Sequence, residues 1–115
     1  LATSLNNLAG SLGSLGRWEE ALAAINEAVD VHRELAQQRP GAFLHYLATS
    51  LNNLAGSLGS LGRWEEALDA INEAVKIRRE LARLRPHVHQ SELDQSLQLR
   101  SLLQEDMKDS PGPAG

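Results

Sequence analysis

Residues 1–40 return almost unchanged 46 positions later, and no other feature of the chain constrains its fold as tightly. LATSLNNLAGSLGSLGRWEEALAAINEAVDVHRELAQQRP reappears as residues 47–86 with six differences: Ala23/Asp69, Asp30/Lys76, Val31/Ile77, His32/Arg78, Gln37/Arg83 and Gln38/Leu84. Self-similarity at a fixed period implies stacked copies of one supersecondary unit. Such a stack presents a shared surface, whereas a catalytic pocket needs different residues at different places. A binding scaffold is therefore expected ahead of an enzyme.

Composition narrows the class further. The 115 residues amount to one domain. They are rich in Ala, Leu and Glu, and the aromatic side chains are confined to Trp18, Phe43, Tyr46 and Trp64, a profile of an all-helical protein. Without cysteine the chain has neither disulfides nor thiolate metal sites, which fits a reducing compartment and a cytoplasmic location. Apolar runs of only a few residues predict no membrane span and no signal peptide. The net charge of −4, from 11 Lys+Arg against 15 Asp+Glu, gives no reason to expect nucleic acid as a partner. Because the chain opens at Leu1 in mid-pattern, it is expected to belong to a longer array.

Within each copy, apolar residues recur in steps of three and four. Trp18, Ala21, Leu22, Ile25, Ala28, Val29, Leu35 and Ala36 predict an amphipathic helix over 18–38, with Glu19, Glu20, Glu27, Asp30 and Glu34 mostly on its wet side. Pro40 stops it, and Trp64 to about Leu84 reads the same way. Ahead of this second helix, Phe43, Leu47, Leu51, Leu54, Leu58 and Leu61 predict another from about Ala42 to Leu61, closed by Gly62. The first copy enters this helix only at Leu1. Gly10, Gly13, Gly56 and Gly59 fall inside helices at about 1 kcal/mol each relative to alanine. Either they serve close helix approach or a bare groove wall, or packing simply tolerates them. LDQSLQLRS (93–101) echoes LATSLNNLA (47–55), so residues 87–108 read as a degenerate third unit whose helix, about 90–107, caps the stack. The division is then 1–40, 41–86, 87–108 and a disordered tail, 109–115.

With the helices placed, the chain resembles the tetratricopeptide repeat family of helix–turn–helix scaffolds. The signature positions are met by Leu8, Ala9, Leu12, Gly16, Trp18, Ala21, Ile25 and Ala28, and again by Leu54, Ala55, Leu58, Gly62, Trp64, Ala67, Ile71 and Ala74. Leu5 and Leu51 stand where the family has a large aromatic, and the closing prolines are displaced to Pro40 and Pro86. The long period and the string LNNLA make the repeats most similar to those of kinesin light chains, and also similar to bacterial and fungal arrays flanking signalling ATPase or protease-like domains.

The resemblance implies a right-handed α-solenoid and a concave groove lined by the first helices. Its groove-facing positions carry over to Thr3, Asn6, Asn7, Gly10 and Gly13, then Thr49, Asn52, Asn53, Gly56 and Gly59. An asparagine both donates and accepts, matching the N–H and C=O of an extended peptide. The family uses such residues for that purpose, and Asn7 and Asn53 fit its pattern best. The alternative is that these asparagines bond within the packed helices.

No lysine or arginine sits on that wall, so a clamp for acidic C termini is not expected. Lys76, Arg78, Arg79, Arg83 and Arg85 read as a solvated helix end beside Glu73 and Glu80 rather than a receptor for an acidic segment. His87-x-His89 lacks an evident third ligand, so no metal or other cofactor is expected. No nucleophile has a base and an orienting partner, and no phosphate loop is present, so no enzymatic activity is expected.

Two functions compete. One is a protein-interaction scaffold that takes an extended peptide or partner helix in its groove. The other is a homo-oligomeric or helix-swapped element, natural or designed, associating through apolar edges at Leu5, Leu8, Leu12, Trp18 and Leu22.

Overall fold

The structure is a computed structural model that describes residues 2–109, and side chains over 4–108. The expected tail lies outside the described residues from 110 onward, as does the side chain of Thr3. Among the described residues five helices follow one another: α1 (Ala2–Ser14), α2 (Trp18–Gln38), α3 (Pro40–Ser60), α4 (Trp64–Leu84) and α5 (Pro86–Asp109). No strand occurs among the described residues. Two helices of 21 residues, a three-residue turn and a one-residue joint account for the full repeat period.

The two kinds of connection have different chemistry. At the three-residue turns, Gly16 and Gly62 take φ of 77° and 75°, the left-handed region that glycine occupies without a Cβ penalty. Gly16 N–H donates to Gly13 C=O at 2.9 Å and Arg17 N–H to Leu12 C=O at 2.8 Å, and the second turn repeats both bonds. This paired pattern satisfies carbonyls that the helix end leaves free. At the one-residue joints, Arg39 and Arg85 are extended, and the next residue, Pro40 or Pro86, opens a helix. Proline suits a first helical position because its missing N–H has no intrahelical partner there. Hence α3 starts two residues before the expected Ala42 and α5 starts four before residue 90. The prolines that end one helix begin the next.

Each helix packs on its chain neighbours, so α1/α2, α2/α3, α3/α4 and α4/α5 form the layers of the stack, whereas α1 with α3 and α3 with α5 meet sparsely. Ala21, Ala28, Ala48, Ala55, Ala67 and Ala74 are wholly buried and let the backbones cross closely. Leu51, Ile71 and Val75 fill the centre. Of the predicted α3 stripe, Leu47, Leu51 and Leu58 are buried, while Phe43, Leu54 and Leu61 pack against the core from its margin. On the outer face Arg33 donates to Glu73 at 2.6 and 3.1 Å, linking α2 to α4. Both partners are over a third exposed, so the pair contributes about 0–1 kcal/mol.

The four glycines expected inside helices divide into two roles. A Cβ on Gly10 or Gly56 would meet nothing within 4 Å. On Gly13 it would lie 2.6 Å from the Trp18 ring, and on Gly59 2.5 Å from Leu103 Cδ2. Gly13 and Gly59 thus serve close approach, whereas Gly10 and Gly56 leave a wall bare. Gly10→Ala and Gly56→Ala should each raise stability by about 0.5–1 kcal/mol, since alanine fits the helix better and touches nothing. Gly13→Ala should lower it by displacing the indole. Urea unfolding midpoints of the three variants test this, and a loss at Gly10→Ala equal to that at Gly13→Ala would contradict the division.

Candidate functional site

Polar side chains gather at the inter-repeat joints, where α1 meets α3 and α3 meets α5, and the repeat places equivalent positions at both. At the first joint Asn6 Nδ2 donates to Ser50 Oγ at 3.0 Å, and Ser50 Oγ lies 2.6 Å from His32 Nδ1. Ser50 accepts from the amide, so its own hydrogen is left for the imidazole. His32 is 5% exposed, and burial pushes its pKa below the ordinary imidazole value, which keeps it neutral at neutral pH and able to accept.

At the second joint the equivalent residues are Asn52, Ser96 and Arg78. Ser96 Oγ donates to Asn52 Oδ1 at 2.9 Å, and Arg78 Nη1 donates to Ser96 Oγ at 2.6 Å and to the Glu92 carbonyl at 3.2 Å. The longer side chain also reaches Asn52 Oδ1 at 3.4 Å and, through Nη2, Thr49 Oγ1 at 3.3 Å. Burial lowers the pKa of Arg78 and the Glu92 carboxylate opposes that shift.

These contacts correct the reading of the basic cluster. Arg78 is 5% exposed and belongs to the joint, not to a solvated helix end. Of the rest, Lys76, Arg79, Arg83 and Arg85 are exposed, Arg83 pairs with Glu80, and Glu73 faces Arg33 across the stack.

Beside the joints lies a cleft of about 600 Å³ between α1 and α3. Asn6, Asn52 and Asn53 line it, and Gly10 and Gly56 form its bare wall. Asn6 Nδ2 is committed to Ser50, but its Oδ1 is buried with no hydrogen-bond partner. Asn52 Oδ1 is committed to Ser96 and Arg78. Thr49 is held by the His45 carbonyl and by Arg78 rather than facing the cleft alone. Asn7 is exposed on α1, outside the lining. The structure therefore brings Asn6, Asn52 and Asn53 together, and leaves Asn7 and Thr49 elsewhere.

The apolar residues expected at an open edge do not behave as one group. Leu22 is 6% exposed and sits in the core, so it is no part of an edge. Leu5, Leu12 and Trp18 are partly buried, the two leucines packing on the core from its margin. Leu8 alone of the five is half exposed, at 50%.

A histidine cluster also forms that spacing along the chain conceals. His89, one of the pair flanking Val88, meets His45 of α3 and Glu92 of α5. His87 remains exposed and outside the cluster. The periodic signal was present, since α3 and α5 begin in equivalent registers, but His45 is far from His89 in sequence.

A family model described as tetratricopeptide repeat matches residues 1–80, which contain α1, α2, α3 and most of α4. The match is to the repeat family as a whole and does not single out the kinesin light chain type. No curated protein matches the chain. No helix among the described residues is long and apolar enough to cross a membrane.

Proposed function

The chain belongs to the tetratricopeptide repeat family, whose repeats generally mediate protein–protein interaction, and on that premise we propose that it holds an extended peptide of a partner protein in the cleft between α1 and α3. The observation that carries this reading is the pairing of a bare glycine wall with amide side chains in one cleft. Gly10 and Gly56 leave room for a backbone to approach beside the amides of Asn6, Asn52 and Asn53. Asn53, partly exposed in the lining, offers an amide that can both donate and accept.

Peptides selected against the chain from a random display library supply a probe for fluorescence anisotropy. Asn53→Ala should weaken a selected peptide about three- to tenfold, the worth of one hydrogen bond. Gly56→Leu, which fills the cleft from a helix with space for the side chain, should abolish binding while far-UV circular dichroism stays unchanged. Undiminished binding to a folded Gly56→Leu variant would remove the cleft assignment.

Self-association is a second reading, favoured by Leu8. Its repeat counterpart Leu54 packs on the core, whereas Leu8 remains half exposed. If this surface pairs with a second copy, light scattering should show dimers that Leu8→Glu disperses. Monomers at all concentrations tested would exclude it.

A further inference from the structure

We propose that His45, His89 and Glu92 form a site for a divalent transition-metal ion, with zinc the best fit, that fastens α5 to α3. His45 lies near the start of α3, and His89 and Glu92 lie three residues apart in the first turns of α5. The Nδ1 atoms of both histidines are buried and have no hydrogen-bond partner. Each stands 3.5 Å from a different oxygen of the same carboxylate: His45 from Oε2, His89 from Oε1. That separation is long for a hydrogen bond. It matches the edge of a tetrahedron, about 3.4 Å, whose centre binds nitrogen and oxygen at about 2.0–2.1 Å. All three ligand atoms fall within 4.8 Å of one another.

Two imidazoles and a carboxylate suit zinc, cobalt or nickel better than magnesium or calcium, which prefer oxygen alone. Three protein ligands leave a fourth position for water.

The repeat supplies an internal comparison. In the preceding unit the registers of His89 and Glu92 are occupied by Phe43 and Tyr46, neither a ligand for such an ion. The cluster arises at the second joint through replacement of two aromatics by two metal-binding side chains. Arg78 Nη2 lies 4.0 Å from Glu92 Oε2 and shares its charge, so the ion competes with a fixed cation and affinity is moderate.

Zinc chloride titrated calorimetrically into the metal-free full chain should bind at one equivalent and raise the thermal unfolding midpoint. In the unsubstituted protein, zinc should shift the ring resonances of His45 and His89 and leave those of His32 and His87 in place. His45→Ala and His89→Ala should each weaken binding about tenfold or more and remove the thermal effect. His87→Ala should change neither. The site is refuted if zinc produces no heat and no ring shifts, or if His87→Ala loses as much affinity as His89→Ala. It is equally refuted if a folded His45→Ala variant binds zinc as tightly as the parent, because His45 is the ligand that joins the two helices.

Discussion

Leu51→Ala should destabilise the chain by about 4 kcal/mol, and Leu5→Ala by no more than about half of that, although the two leucines occupy the same register in the two copies of the repeat. Leu51 is 2% exposed in the central helix α3, with α2 on one side and α4 on the other. Truncation there loses the transfer energy of the removed carbons and leaves a cavity that two flanking layers hold open. Leu5 on α1 is partly buried and packs on the core from its margin. Its removal exposes space that water can enter, so the cavity contribution largely disappears. Chemical denaturation of both variants reads the difference directly. Equal losses would mean that α1 is packed as tightly as α3 and that the stack lacks the layered gradient described above.

The second large effect concerns the joint between α3 and α5. Arg78→Ala should cost about 3 kcal/mol, because it strips a buried donor from Ser96, Asn52, Thr49 and the Glu92 carbonyl together. The chain contains its own control. At the equivalent position of the first joint a histidine bonds the equivalent serine, so Arg78→His should recover a substantial part of the loss, reaching Ser96 as His32 reaches Ser50. Unfolding midpoints of the three proteins, with far-UV circular dichroism to verify helicity, test the assignment. If Arg78→His is as unstable as Arg78→Ala, the serine bond is not what holds the joint.

Much of this architecture was legible in the residues. The repeat, the three- and four-residue spacing and the glycines at positions 16 and 62 specify helices, their order and the turns between them. The resemblance to tetratricopeptide repeats came from those same positions, and the family match agrees with it. The one-residue joints are less legible: Pro40 and Pro86 mark helix ends in the sequence, yet each also opens the following helix, because proline ends one helix and begins another by the same local property.

The candidate site was less legible still. Asn6 and Asn7 are neighbours in sequence, but a helix turns about 100° between them, and a modest rotation of α1 decides which one meets α3. Asn6 faces Ser50 and the cleft, while Asn7 is exposed. Arg78 looks in the sequence like one more charge in a basic run, and its bonds to Ser96, the Glu92 carbonyl, Thr49 and Asn52 make its burial tolerable.

Local periodicity, turn chemistry and the duplication itself were enough to determine an all-helical stack, since each acts over a few residues or is printed twice. Which polar groups are spent inside the joints, which remain free in the cleft, and that His45 stands beside His89 and Glu92 were decided by tertiary structure alone. Those outcomes depend on how helices rotate and lean once packed, and that geometry is set by the shape of the whole interface rather than by any single stretch of chain.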